Sequence, residues 1–252
     1  MSSSASHAHS WPDDSAPLLV WAEAWHSHGF RPIPLRSKGK NPIHDDWPNI
    51  PFHENPSLYF ANSHAACNLG VACGLDGLID CDLDCIEAVI LWEQFFGPPT
   101  GLRYGHDSNP DSHWWYRVDR PVTAAKYQDF PSADPQTGKK KARKILEVRG
   151  LAKDGNIGLQ TAVPPSIHPS GERIRFEVGG CGLPGHIEAD DLLRAAGKMW
   201  RRRPPGVELS GQRRAARCFP SPRWLPAASL LGRYGGGAIP VRDLPHPVAR
   251  RH

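Results

Sequence analysis

Residues 68–84 read NLGVACGLDGLIDCDLD, two apolar runs separated by a break at Asp76-Gly77. This composition predicts two strands joined by a tight turn, with Leu78, Ile79, Cys81 and Leu83 as apolar positions. In the second strand alternate side chains share a face, so Asp80 and Asp82 project together while Ile79, Cys81 and Leu83 pack into a core. Two carboxylates held side by side repel, and Asp is a poor strand former. Compensating positive charge is therefore expected. Hard divalent cations bound through oxygen, Mg2+ or Mn2+, suit such a pair. An acidic strand end facing water explains the same spacing equally well.

Upstream, Ala16 to His28 (APLLVWAEAWHSH) puts Leu18, Leu19, Ala22, Trp25 and His26 near one face of a helix, and Gly29 stops it. FRPIPL then reads as a short edge strand, because its prolines cannot donate to a ladder. It leads into the basic turn SKGKNP. Downstream, a helix over about Ile86 to Phe96 is broken by Gly97-Pro98-Pro99. SHWWYRV and KILEVRG have strand composition, and residues 157–178 (IGLQTAVPPSIHPSGERIRFEV) give a strand, a proline-stiffened loop and a closing strand. The order indicates an α+β domain over about 16–195. Residues 1–15, polar and without periodicity, are expected to be disordered.

The chain of 252 residues has a net charge of +4 that is unevenly distributed. Residues 192–252 carry 13 basic against 2 acidic side chains, and residues 1–191 carry 17 against 24. Residues 196–252, rich in Arg, Pro and Gly, are expected to form an irregular tail: a nucleic-acid-binding arm, or the sequence left after a truncation or frameshift. The six cysteines lack paired CxxC spacing, which argues against a zinc ribbon. No apolar run is long enough to span a bilayer, and the N-terminus has no secretory signal. A cytoplasmic protein without membrane contact is expected.

Three further segments follow in order: Ser112-His113-Trp114-Trp115-Tyr116, Ile145-Leu146-Glu147-Val148-Arg149-Gly150, and the loop from Pro164 to Gly171, PPSIHPSG. Together with HGFRPIPLRSKGKNP and NLGVACGLDGLIDCDLD, this set resembles the bifunctional DNA primase/polymerase N-terminal domain of the archaeo-eukaryotic primase superfamily, over about residues 16–180. The resemblance implies a catalytic core with a mixed, mainly antiparallel sheet flanked by helices. It implies that Asp80, Asp82 and Glu147 hold the catalytic Mg2+ or Mn2+, that His113 contacts the incoming nucleotide, and that Ser166 and His168 line the same cleft as further nucleotide contacts. Arg149 would add charge-assisted bonds beside the third carboxylate. The reaction implied is two-metal phosphoryl transfer from nucleoside triphosphates on a single-stranded DNA template. Two departures stand out: Ser108-Asn109-Pro110-Asp111-Ser112 replaces the usual glycine-rich turn before the histidine, and Glu147 stands where Asp is frequent.

Lys38 and Lys40, and the run holding Lys140, Lys141 and Arg143, are candidate contacts to template phosphates; a solvated loop is the ordinary reading. Trp114, Trp115 and Tyr116 could stack bases, but strand alternation favours core packing. The 13 histidines are scattered, with surface positions as the default, and no phosphate-binding GxxxxGK[ST] loop occurs. A helicase would thus be a separate partner, in a plasmid, phage or integrated element. A metal-dependent nuclease or phosphohydrolase could use the same acidic trio. A truncated, non-catalytic nucleic-acid-binding remnant is the third reading.

Overall fold

A computed structural model describes residues 10–60, 67–129, 132–133, 138 and 140–202. Its elements are α1 (Leu18–Ser27), β1 (Pro32–Leu35), α2 (Pro56–Phe60), β2 (Asn68–Ala72), β3 (Leu78–Leu83), α3 (Ile86–Leu91), β4 (Leu102–His106), β5 (Asn109–Val118), β6 (Ala125–Gln128), β7 (Ser132–Ala133), β8 (Lys140–Lys141), β9 (Lys144–Arg149), β10 (Gln160–Ala162), β11 (Arg175–Cys181), β12 (Gly185–Ile187) and α4 (Ala189–Arg202). The class is α+β. A seven-stranded sheet runs β11-β4-β5-β3-β9-β6 with β12 beside β5, and a three-stranded sheet runs β1-β2-β10. Every pairing in these two sheets is antiparallel except β12 with β5.

The two strands of residues 68–84 form, but not as a hairpin. β2 joins the small sheet and β3 the large one. The chain changes sheet through a 3-10 turn in which Gly74, Asp76 and Gly77 all take positive φ (86°, 49° and 72°). A Cβ on Gly74 would lie 2.6 Å from the Leu151 nitrogen, and one on Gly77 2.4 Å from the Val118 oxygen. Only glycine permits both the turn and these backbone approaches.

Alternation along β3 and β5 divides the core between the two faces of the large sheet. On one face Trp115, Leu78 and Tyr104 join α1 and the small sheet in a cluster with Trp21, Trp25, Phe30, Ile33, Leu69 and Val71. Trp25 meets Phe30 edge-on at 4.9 Å, and Phe30 meets Trp115 edge-on at 5.0 Å, the arrangement aromatic quadrupoles favour. Ile79, Cys81, Trp114 and Tyr116 alternate onto the other face, where Trp92 donates to the Tyr116 hydroxyl at 3.2 Å. Trp114, Trp115 and Tyr116 are all buried, so core packing rather than base stacking engages all three. β1 is the edge of its sheet, as its prolines require.

Several boundaries differ from expectation. The buried face of α1 is Trp21, Ala22 and Trp25, while His26 is exposed. Residues 10–15, within the segment expected to be disordered, are described and held: Trp11 stacks on His28 at 4.2 Å and lies 4.5 Å from Trp25. The helical turns after β3 do match expectation, continuing past α3 through Trp92–Phe96 and ending at Gly97. At the other end α4 continues to Arg202, past the expected domain edge at 195, because Leu192, Ala196 and Met199 bury one face. The remaining tail, residues 203–252, lies outside those described. Cys67, Cys73, Cys81, Cys85 and Cys181 are free thiols. Among the described residues no helix is long and apolar enough to cross a membrane.

Candidate active site

Strand register assembles the acidic cluster. Asp82 lies opposite His113 of β5 on one side and opposite Glu147 of β9 on the other; Asp80 lies opposite Arg149. Four candidate residues and the arginine thus share one sheet face, brought from three sequence segments. All three carboxylates are buried: Asp80 is 0% exposed, Asp82 6% and Glu147 5%.

Protein cations supply the compensation that two adjacent aspartates demand. The Arg149 guanidinium donates to Asp82, to Glu147 at 3.2 Å and to the Thr161 hydroxyl at 3.0 Å. Thr161 donates onward to Asp80 at 2.7 Å, and His113 Nδ1 donates to the same Asp80 oxygen at 3.0 Å. The His113 ring stacks on Tyr104 at 4.9 Å, which fixes its plane. Burial pushes the Asp82 pKa up, but Arg149, His113 and Lys144 outweigh it and hold the carboxyl well below its usual range. Glu147 follows the same pattern: burial raises its pKa, while the Lys144 hydrogen bond and Arg149 bring it below the usual value. Burial alone would lower the Arg149 pKa, and the surrounding carboxylates raise it instead.

Lys144 marks where a cation sits in this cluster. Its ammonium lies 2.8 Å from Glu147, 3.3 Å from Asp84 and 3.5 Å from Asp82. Ionised oxygen donors already gathered around one positive charge are the donor chemistry Mg2+ or Mn2+ requires, so the residues fit such an ion in type. Asp80 stands one pleat further in, its oxygens engaged by His113 and Thr161. Among the described residues the one group of three ligand atoms within 4.8 Å of one another is His106, His168 and Glu172.

Beside the carboxylates is a small pocket lined by Lys40, His106, His113, Arg149, Ala162, His168 and Ile174. Asn68 builds this wall. Its amide donates to the Gly39 carbonyl at 2.9 Å and to Ile167 at 2.7 Å, tying the SKGKNP turn to the PPSIHPSG loop. Lys40, expected on template phosphates, therefore belongs to the pocket with His113 and His168.

Ser166 departs from expectation. It is 2% exposed, and its hydroxyl accepts from the Leu69 N–H and donates to the Leu69 carbonyl, both at 2.8 Å. It straps the loop to β2 and does not line the pocket. Lys38 and Arg143 are exposed and away from the pocket lining. The side chains of Lys140 and Lys141 lie outside the described residues. Thr161, Lys144, His106 and Glu172 were missed as site residues. Lys144 ended the basic run considered for template phosphates, but strand alternation puts a residue three before Glu147 on the opposite face, so its place in the cluster was not signalled. Thr161 and Glu172 carried no signal, and His106 was one of many scattered histidines.

No curated protein matches the chain. The sequence pattern described as bifunctional DNA primase/polymerase, N-terminal, matches residues 22–187, a span that contains β1 through β12, the acidic cluster and the pocket wall. The chain belongs to the bifunctional DNA primase/polymerase N-terminal family.

Proposed function

We propose that this chain joins nucleotides from nucleoside triphosphates on a single-stranded DNA template, as the replicative primase/polymerase of a plasmid, phage or integrated element. One observation carries the reading: a pocket walled by Lys40, Arg149, His106, His113 and His168 opens beside three clustered carboxylates. Nitrogen donors on one side suit a triphosphate, and anionic oxygens on the other suit the cations that accompany it.

Mg2+ or Mn2+ held by Asp80, Asp82 and Glu147 would supply charge neutralisation and activation of the attacking 3′-hydroxyl. The residues themselves do the positioning. Arg149 and Lys40 hold phosphate oxygens by charge. His113, oriented by Asp80 and by the Tyr104 ring, presents its Nε2 edge toward the reacting end. His168 contacts the same phosphates as a neutral imidazole, since burial and then Lys40 and His106 lower its pKa to about 4. In such transfers catalysis is mainly orientation and charge stabilisation, and neutralising a carboxylate should cost activity far more than binding.

The test is incorporation of labelled nucleotides by the purified chain on a single-stranded template, with Mg2+ or Mn2+ supplied. Template-dependent products with pyrophosphate released, lost in Asp82→Asn and Glu147→Gln, support the proposal. Full activity in both variants, or release of nucleoside monophosphates instead, defeats it.

A further inference from the structure

We infer that His106, His168 and Glu172 form a second metal site, distinct from the carboxylate cluster and suited to an imidazole-preferring divalent ion such as Zn2+. One ligand atom from each lies within 4.8 Å of the other two. His106 ends β4, and His168 and Glu172 lie on the loop before β11. That loop is closed by backbone bonds from His168 N–H to the Glu172 carbonyl at 2.7 Å and from Gly171 N–H to the His168 carbonyl at 2.8 Å. The closure puts both side chains on the same side of a tight turn, facing His106. The two imidazoles stack at 4.0 Å with planes 13° apart, so their lone pairs run parallel and one ring turns out of the stack when both take the same ion.

The carboxylate is held in place by its neighbours. Glu172 accepts from His106 Nδ1 at 2.7 Å, from the Ser108 hydroxyl at 2.7 Å and from the Ser170 hydroxyl at 2.8 Å. Asp82 and Glu147 have Arg149 and Lys144 as partners, whereas the ion-pair partner of Glu172 among the described residues is His106 alone. Two imidazoles and one carboxylate are a donor set that holds Zn2+ with a coordination position left open. Nitrogen donors also separate this site from the all-oxygen cluster, which favours harder ions. Both histidines line the pocket shared with Lys40, His113 and Arg149, so the open position faces a cavity suited to a phosphate oxygen or a water. The inference does not depend on the proposed polymerase activity, because it concerns metal binding by the protein alone.

The experiment is equilibrium dialysis of the chelator-stripped full chain against Zn2+, with Co2+ absorption in the visible as a second probe and far-UV circular dichroism as a check on folding. One equivalent of Zn2+ is expected. His106→Ala and Glu172→Gln should each weaken binding at least about 10-fold, the lower bound for disturbing a ligand's support. Asp82→Asn and Glu147→Gln should leave this equivalent in place. Failure of the folded wild-type chain to retain Zn2+ overturns the inference. So does unchanged binding in the His106→Ala/Glu172→Gln double variant, which would assign the metal to other histidines.

Discussion

Asp82 faces Glu147 directly across the β3–β9 pairing, and Lys144 on β9 reaches both. Opposed like charges destabilise a sheet, and here one ammonium and one guanidinium bridge them.

The first prediction concerns that ammonium. Lys144→Met leaves Asp82, Asp84 and Glu147 without their shared cation, so the variant should lose about 1.5–3 kcal/mol in metal-free buffer, the range for a hydrogen bond to a charged group. Added Mn2+ should then restore more stability to the variant than it adds to the wild type. Thermal unfolding with and without Mn2+ measures the difference; equal Mn2+ responses would show that the ion binds elsewhere.

Asp82→Ala should lower stability as well as activity, by about 1.5–3 kcal/mol, because it removes one of the two carboxylates that Arg149 bonds in a buried position and leaves Glu147 as the other. Relief of repulsion between Asp80 and Asp82, the effect the sequence alone suggests, is the smaller contribution. Urea unfolding checks this, and a double-mutant cycle with Arg149→Met should recover part of the loss.

Ser166→Ala separates a strap from a ligand. Loss of the hydroxyl takes the serine partner from the buried Leu69 N–H, while the Leu69 carbonyl keeps the Val163 N–H at 3.0 Å, at a cost of about 1–3 kcal/mol. Nucleotide affinity of the folded variant should stay within about twofold of wild type. Lys40→Ala should do the reverse, weakening triphosphate binding about tenfold or more with stability unchanged on the ~0.5 kcal/mol scale of surface substitutions. Isothermal titration with a non-hydrolysable triphosphate, beside urea unfolding, distinguishes the two.

Asp111 gives a pH signature. Burial first, and then Glu177 and Glu93, push its pKa up to about 6 against the opposing pull of Arg103, which lies 3.3 Å away. The unfolded carboxyl, near 3.8, binds its proton only at lower pH. The folded state therefore holds more protons between these values, and this group favours folding increasingly as pH falls from about 6 toward 3.8. Asp111→Asn removes the buried charge and suits the positive φ of 49° at this position. The substitution should stabilise the protein more at pH 7.5 than at pH 5, as read from urea midpoints at the two values.

Much of this was legible from local pattern. Strand alternation placed Asp80 and Asp82 on one face, Gly29 ended α1 at its left-handed position, and prolines put β1 at an edge. Contacts between distant segments were not. Nothing near Thr161 announces a bond to Asp80, 81 residues away, and nothing in Asp76-Gly77 says that its strands part rather than pair, because the turn answers to Leu151 and Val118. The likeness in PPSIHPSG located the loop correctly but could not say which of its polar side chains turns inward. Ser166 holds β2, and His168 two positions later meets the pocket.

The passage of the chain from β2 to β3 has one more consequence. Thr161 belongs to the small sheet and Asp80 to the large one, so their bond is a stitch across a seam. Damage far from the chemistry, such as loosening the aromatic packing under α1, can travel along that stitch and disorganise the acids before the protein unfolds. Catalytic competence would then be an early casualty of heating or mutation, with loss of the whole structure following at harsher conditions.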